Sequence, residues 1–462
     1  MTRTEVRDGK PPGLRYAVPF AVAAEFRRDP LGFAMRLHEE FGDIASIRMG
    51  SRWSFYLFAP EDIEHVLQGN HRNYLKGPAT DKVRVFFGEG LFSSEGAAWR
   101  GQRRLLQSAF ERQRLEGYAE AMATCATSLL DGWERYVANG SAIDLVAEMK
   151  RFALAVVART LFGAALGDEA LARAFALVLE HLNHRATSFL PVPDALPTPR
   201  NRRFHRAHDL LERFVFDMVE RRRKAAEPGT DMLATLLAAR DPETGSPLTQ
   251  SHLRDQILTF LMAGHETTAA TMAWALYLLA CHPDVQQRVH AEVTENLGEG
   301  RPPTGQDVKG LTFTRRVVQE TLRLYPPAPF VARQPIEPDT IHGYHIPARS
   351  SVTVCSYVTH RHPRFWDDPE RFDPDRFTPE RCAARPRLAY LPFGGGPRIC
   401  IGNEFALMEE QLLLAMTLRR YRVVPDPSRR FAGELRTVRA TNGLWVRLER
   451  VSADRQDAAS VR

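Results

Sequence analysis

Leu391–Gln411 reads LPFGGGPRICIGNEFALMEEQ. Three glycines and a proline lead to Cys400, and a helical apolar pattern starts directly behind it. Free amides at a helix start favour thiolate, which serves as nucleophile or metal ligand. A nucleophile needs a basic histidine placed beside it, and no local signature points to one. A zinc site needs three more ligands nearby. The five cysteines (Cys125, Cys281, Cys355, Cys382, Cys400) are scattered and contain no C-x-x-C pair. One thiolate as sole protein ligand suits haem iron, whose porphyrin supplies the equatorial donors.

The remaining 441 or so positions read as ordinary globular sequence, with 44% hydrophobic and 26% charged residues among 462. No low-complexity linker divides them, so a single domain is expected over 1–462, with loose tails at about 1–12 and 452–462. The net charge is +6, and basic residues cluster at Arg200–Arg206 and Arg221–Lys224. No finger spacing or aromatic interleaving accompanies them, which argues against nucleic acid. Solvated helix faces are the first reading and a dock for an acidic protein the second. Scattered cysteines in odd number fit a reducing, cytoplasmic setting. The stretch YAVPFAVAAEF is too short to span a membrane and is broken by Pro19, so no membrane anchor is expected.

Helical periodicity dominates, as in PLGFAMRLHEEFG, AWRGQRRLLQSAF and RRVVQETLRLY. Strand signals are short: DIASIRMG with WSFYLFA as an early hairpin, SSVTVCSYV, and LRTVRATNGLWVRLERV near the end. The fold class expected is mainly α with small β-sheets. The proline-rich Phe189–Arg206 reads as a long surface loop.

A long helix is expected between a cap at Thr249 and a stop at Pro283, roughly 50 Å at 1.5 Å per residue. Midway lies AGHETT, Ala263 to Thr268. A glycine, an acid and two threonines are poor helix material, and such a cluster of local violations flags a functional site. Small residues there would let something flat approach the backbone, and the Thr267 hydroxyl can reach the Ala263 carbonyl. The competing reading is a helix-packing glycine with capping threonines. Glu320 and Arg323 share a helix face, an arrangement that in isolation is an ordinary ion pair. DPERFDPDRF, Asp368 to Phe377, offers Arg371 as a further partner for them. Trp99 and Arg103 are also one turn apart, so indole N–H and guanidinium could together bind carboxylates.

Jointly these motifs resemble the cytochrome P-450 family. Phe393, Gly396, Arg398, Cys400 and Gly402 fit its F-x-x-G-x-R-x-C-x-G signature. Ala263, Gly264, Glu266, Thr267 and Thr268 fit A-G-x-E-T-T, Glu320 and Arg323 fit E-x-x-R, Pro369–Phe372 fit P-E-R-F, and Trp99 with Arg103 fits W-x-x-x-R. They occur in the family's order from residue 99 to 402. FLMAGHETT looks closer to the fatty-acid-hydroxylase and eukaryotic-like branch, in a soluble bacterial-type member.

The resemblance implies a triangular helical prism with haem b, thiolate-ligated by Cys400, between the central helix and the cysteine loop. Phe393 would shield the sulfur. Gly394–Gly396 would let the loop turn under the porphyrin, and Gly402 would keep the helix start free of a Cβ clash. Trp99, Arg103, Arg333 and Arg398 would hold the propionates, with Ala263 against the ring. Glu320, Arg323 and Arg371 would form a structural network. Glu266 and Thr267 would relay protons as one oxygen atom of dioxygen enters a C–H or C=C bond. Phe86, Phe87, the Phe189–Arg206 region, Phe260, Phe330, Val331 and the turn near Thr441–Gly443 would line a pocket for an apolar substrate: a terpenoid, fatty acid, steroid or polyketide. Electrons would come from a separate ferredoxin or flavodoxin with its reductase, docking on Arg100, Arg104, Arg381, Arg385 and Arg387. A monomer is expected. The rival reading is a haem-thiolate binder or sensor that never turns over, which would have no need of Glu266 and Thr267.

Overall fold

The computed structural model describes residues 2–4, 9–16, 19–49, 52–165, 169–188, 192–225, 229–240, 245–297, 301–429 and 443–451. Its axis is the helix Gln250–Cys281. Thr249 Oγ1 accepts the His252 N–H at 3.2 Å and starts the helix. The helix ends at Cys281, and Pro283 opens the next one. Apolar residues surround most of its circumference, the pattern of a core helix rather than a surface one. It packs against Leu145–Phe162, Thr312–Leu324 and Asn403–Arg420. None of the helices of the described residues is long and apolar enough to cross a membrane.

Three separate sheets occur among the described residues. The largest runs in the order Thr2–Thr4, Gly13–Tyr16, Ile44–Met49, Arg52–Leu57, Ser351–Cys355, Phe330–Pro335, Tyr74–Lys76. The expected early hairpin is there, with Ile47 opposite Ser54. The last pairing places Lys76 opposite Arg333. Like charges directly opposite each other are unfavourable in a sheet, so this register concentrates positive charge at one edge for a reason found below.

Two expectations change. Thr2–Thr4 pair antiparallel with Gly13–Tyr16, and Ser46 bonds the carbonyls of Pro11 and Pro12, so these residues of the expected loose tail are joined to the sheet. The expected tail 452–462 and Thr441 fall outside the described residues. The expected loop ends early, because Arg200–Arg206 belongs to the helix Pro199–Lys224. Thr198 Oγ1 caps the Asn201 N–H at 3.2 Å, and Pro199 takes the first helical position where its missing N–H costs nothing.

Candidate functional site around Cys400

The loop before Cys400 is built by backbone constraints. Gly394 and Gly396 have φ of +74° and +65°. A Cβ on Gly396 would lie 1.8 Å from the Leu67 carbonyl oxygen, so only glycine fits. The Cys400 N–H closes the loop on the Phe393 carbonyl at 2.9 Å, and the helix Asn403–Arg420 follows. Gly402 differs from expectation: its Cβ would make ordinary contact with the Phe110 ring at 3.6 Å. Protein packing alone therefore leaves room for a side chain there.

Cys400 is accessible to solvent, yet protein closely surrounds its thiol, as on the wall of an interior cavity. Burial pushes the thiol's pKa up, and the Gly402 amide and Arg103 only partly offset this. The helix start does not by itself make a thiolate here, contrary to the sequence expectation. A bound metal cation would, since a coordinating thiol loses its proton outright.

The central helix contributes the facing wall. Phe110 joins the two walls, stacking on Phe260 at 5.8 Å and meeting Phe405 of the cysteine helix edge-on at 6.2 Å. Ala263 and Thr267, one turn apart, are exposed in the middle of this otherwise buried helix. Thr267 Oγ1 donates to the Ala263 carbonyl at 2.7 Å without interrupting the helix. Gly264 faces elsewhere: its Cβ would lie 2.7 Å from Val157 Cγ2. It is a helix-packing glycine, and the residue that lets a flat group approach is Ala263.

Glu266 and Thr267 point apart, as neighbours on a helix must. The Glu266 carboxylate reaches back to Lys150 Nζ at 3.1 Å and to His265 Nε2 at 3.4 Å. Burial opposes its ionisation, but His265 and Lys150 together outweigh burial and hold its pKa at about 2. His265 Nδ1 lies 2.7 Å from the Leu261 carbonyl oxygen. Lys150, from a different helix, and His265 were both missed by the sequence reading. His265 sat inside a recognised motif without a role, and Lys150 carried no local signal.

A cluster of cations rims the cavity. The Arg398 guanidinium lies 4.4 Å over the Trp99 ring and pairs with Glu95. Arg103 Nη1 donates to the Ile399 carbonyl at 2.8 Å, beside Cys400. Burial, then Arg398, lowers Arg333 to about 10. Burial, then Arg398, also lowers Lys76 to about 7. Its backbone N–H binds Glu95 Oε1 at 2.6 Å. Lys76, Arg103, Arg333 and Arg398 against Glu95 leave a net excess of positive charge. That excess suits the propionate carboxylates of haem, and the residues present therefore fit the group. Lys76 and Glu95 had no sequence signal, because strand register brings Lys76 to Arg333.

The loop is braced from below. Arg323 and Glu320 are fully buried and bidentate, at 2.7 and 2.8 Å. The expected role of Arg371 is corrected. Its side chain is exposed, and only its carbonyl accepts from Arg323, at 3.1 Å. The guanidinium near Glu320 is that of Arg376, at 3.4 Å. Arg376 is buried in the same irregular segment, whose turns cannot be phased from sequence.

The expected apolar pocket is only partly assembled. Phe86 and Phe260 are buried in the main core, Phe86 against His208 and Phe260 against Phe110. Phe87 is also buried and packs on Phe92 at 4.8 Å. Phe330 packs on Phe26, while Val331, next along the strand, faces the opposite core. Alternation along a strand forbids both from facing one pocket.

A solvent-accessible cysteine held at the head of a core helix, with a cationic cluster beside it, suits a haem-thiolate protein. The chain belongs to the cytochrome P450 family, whose model, Cytochrome P450, matches residues 11–440. It is 37% identical over 403 residues to cyclooctat-9-en-7-ol 5-monooxygenase of Streptomyces melanosporofaciens, covering 87% of this chain and 86% of that one. It is 36% identical over 425 residues to pentalenene oxygenase of Streptomyces avermitilis, covering 91% and 92%. Cytochrome P450 4V2 of Mus musculus is 32% identical over 426 residues, covering 86% and 80%. The protein is a haem-thiolate monooxygenase of hydrophobic small molecules.

Proposed function

We propose that Cys400 is the iron ligand and that the substrate is a polycyclic terpenoid hydrocarbon or its alcohol. The observation that carries the first part is the accessible Cys400 thiol beside Arg103 and the Gly402 amide. The second part rests on the likeness to proteins named for cyclooctat-9-en-7-ol and pentalenene. When bound, haem supplies the activation of dioxygen and the insertion of one of its atoms. Trp99, Arg398, Arg333 and Lys76 would hold the propionates, and Arg103 braces the cysteine loop through the Ile399 carbonyl. Ala263, small and exposed on the central helix, would leave room for the porphyrin, and the exposed Thr267 hydroxyl one turn on would be the proton donor. Glu266, ionised and turned towards Lys150 Nζ and His265 Nε2, would take up a proton from either of them and pass it to the hydroxyl only after its side chain swings round. Such a relay has no use in a non-catalytic haem binder.

Electrons come from a separate acidic ferredoxin or flavodoxin in the cytoplasm. It docks over a hollow of about 360 Å³ lined by Gly394–Pro397, Ile399 and Arg387. Arg387 is exposed there for pairing, and Arg100 and Arg104 are exposed on the helix Gly96–Gln107. Arg381 and Arg385 contribute less, because Arg381 pairs with Asp373 at 3.3 Å and Arg385 stacks on Trp366. The reduced, carbon-monoxide-bound absorption spectrum tests the ligand. Wild type should show the thiolate-ligated band and Cys400→Ser should lose it; an unchanged spectrum in the variant excludes Cys400. Electron-transfer rates that do not fall with added salt would remove the basic docking face.

A further inference from the structure

The short helix Pro60–Glu64 widens into a π-helical turn, His65–Gly69, closed by the Asn70 N–H on the His65 carbonyl at 2.7 Å. Such turns are rare and recur at functional sites. This one lies against the cysteine loop. The Leu67 carbonyl is the group that excludes a Cβ from Gly396, four residues before Cys400. Leu67 Cδ1 would also lie 3.5 Å from a Cβ on Gly395. The shape of the π-helical turn therefore sets where the loop can sit.

A single carboxylate oxygen holds that turn. Asp339 Oδ2 accepts from Tyr74 OH at 2.6 Å, from His65 Nε2 at 2.9 Å and from Asn70 Nδ2 at 3.0 Å. Asp339 Oδ1 accepts the Thr340 N–H at 2.8 Å. Asp339 starts a separate hairpin, Asp339–Ile341 against Tyr344–Ile346, far along the chain from its three side-chain donors. Two of those donors, His65 and Asn70, bracket the π-helical turn. The third, Tyr74, opens the strand Tyr74–Lys76, which carries Lys76 to Arg333 in the cationic cluster.

The chemistry of the network is consistent with a fixed acceptor. Burial opposes ionisation of Asp339, but Tyr74, His65, the Thr340 amide and Asn70 hold its pKa below the ordinary carboxylate value. An ionised carboxylate only accepts, and hydrogen bonds to it are among the stronger ones. A bare His65–Asp339 ion pair would need neither Tyr74 nor Asn70 on the same oxygen.

We propose that Asp339 is a positioning residue for the Cys400 thiolate. It fixes the π-helical turn, the turn fixes Gly396 through the Leu67 carbonyl, and the loop then holds the sulfur in place. The inference rests on Cys400 being the iron ligand, as proposed above.

The test follows the reduced, carbon-monoxide-bound spectrum of the haem-loaded protein in urea too dilute to unfold wild type, and reads the rate at which thiolate ligation is lost. Asp339→Ala should lose it about tenfold faster than wild type. Asp339→Asn, which keeps one acceptor oxygen, and Tyr74→Phe, which removes one donor, should show smaller increases. Asp426→Ala is the comparison. Asp426 is buried beside the separate three-stranded sheet, where it accepts from Ser428 Oγ at 3.0 Å and pairs with Arg447 at 3.1 Å. Its loss should lower thermal stability without hastening the loss of thiolate ligation. Equal rates in Asp339→Ala and Asp426→Ala at matched thermal stability overturn the proposal. Should Asp339→Ala take up no haem, Tyr74→Phe decides: a faster loss supports the proposal and a wild-type rate overturns it. A wild type that lacks the thiolate band overturns the assignment of Cys400, and this inference with it.

Discussion

His360 Nε2 accepts the backbone N–H of Leu391 at 2.9 Å, so one buried imidazole anchors the first residue of the cysteine loop. Its Nδ1 faces the Arg323 carbonyl oxygen at 3.1 Å. An N–H donor on one side and an acceptor on the other fix a single neutral tautomer. The loop that presents Cys400 is thus tied to the buried Glu320–Arg323 pair through a ring that must stay uncharged.

Acid should therefore loosen the cysteine loop. Burial, then Arg323, lowers His360 from 6.5 to about 3. The unfolded chain binds the proton first, so this contribution is intact above about pH 6.5 and shrinks as pH falls towards 3. By pH 4.5 the loss is about 3 kcal/mol. Denaturant unfolding of wild type and His360→Gln between pH 7 and 4.5 checks this. The variant keeps an acceptor for Leu391 but cannot titrate, so its curve should be flatter; parallel curves would contradict the assignment.

The acid on the central helix has the same sign and a lower window. Glu266 is held at about 2, against 4.5 ordinarily. Its ionised form stabilises the fold above about pH 4.5, and this is lost as pH falls towards 2. Glu266→Gln should cost up to about 3 kcal/mol at pH 7, with the gap to wild type closing in acid. Lys150→Met should remove part of the same stabilisation, and no change would show that His265 alone holds the charge.

Thr267→Ala should uncouple turnover. Electron donor is still consumed, but product per donor oxidised should fall roughly tenfold, the loss of a positioned proton donor. Thr268→Ala is the control, because Thr268 is buried and turned from the cavity. Product yield kept at the wild-type level in Thr267→Ala would remove the hydroxyl from the relay.

Alanine at the two loop glycines should separate folding from cofactor fit. Gly396→Ala meets both a positive φ and the Leu67 carbonyl, and should cost several kcal/mol, about the upper range for strained positions. Gly402→Ala should change the stability of the haem-free protein by less than about 1 kcal/mol while lowering haem retention. Thermal unfolding with and without haem distinguishes them.

Arg376→Ala should cost about 3–5 kcal/mol, because it strips a buried guanidinium from beside Glu320. Arg371→Ala should stay within about 0.5 kcal/mol, its side chain being exposed. The reverse order would restore the pairing expected from the sequence.

Linear spacing was enough wherever one segment makes the whole feature. The cysteine loop, the cap at Thr249, the Thr267–Ala263 hydrogen bond and the Glu320–Arg323 pair all lie within a few residues, so helix geometry and glycine conformation decide them. The aromatic pocket was less legible. Phe86, Phe87 and Phe260 are apolar and sit near the right motifs, but apolarity cannot tell a core face from a cavity face. Gly264 had two readings that only the position of Val157 could separate.

What Leu391–Gln411 and its companion motifs determined was the thiol, the helix opposite it and the order in which they occur along the chain. Packing of distant segments decided the rest. Strand register set Lys76 against Arg333, helix packing brought Lys150 to Glu266, and an irregular turn chose Arg376 over Arg371. These pairings are non-local. Their energy depends on which surfaces are buried together, and no spacing along one chain specifies that.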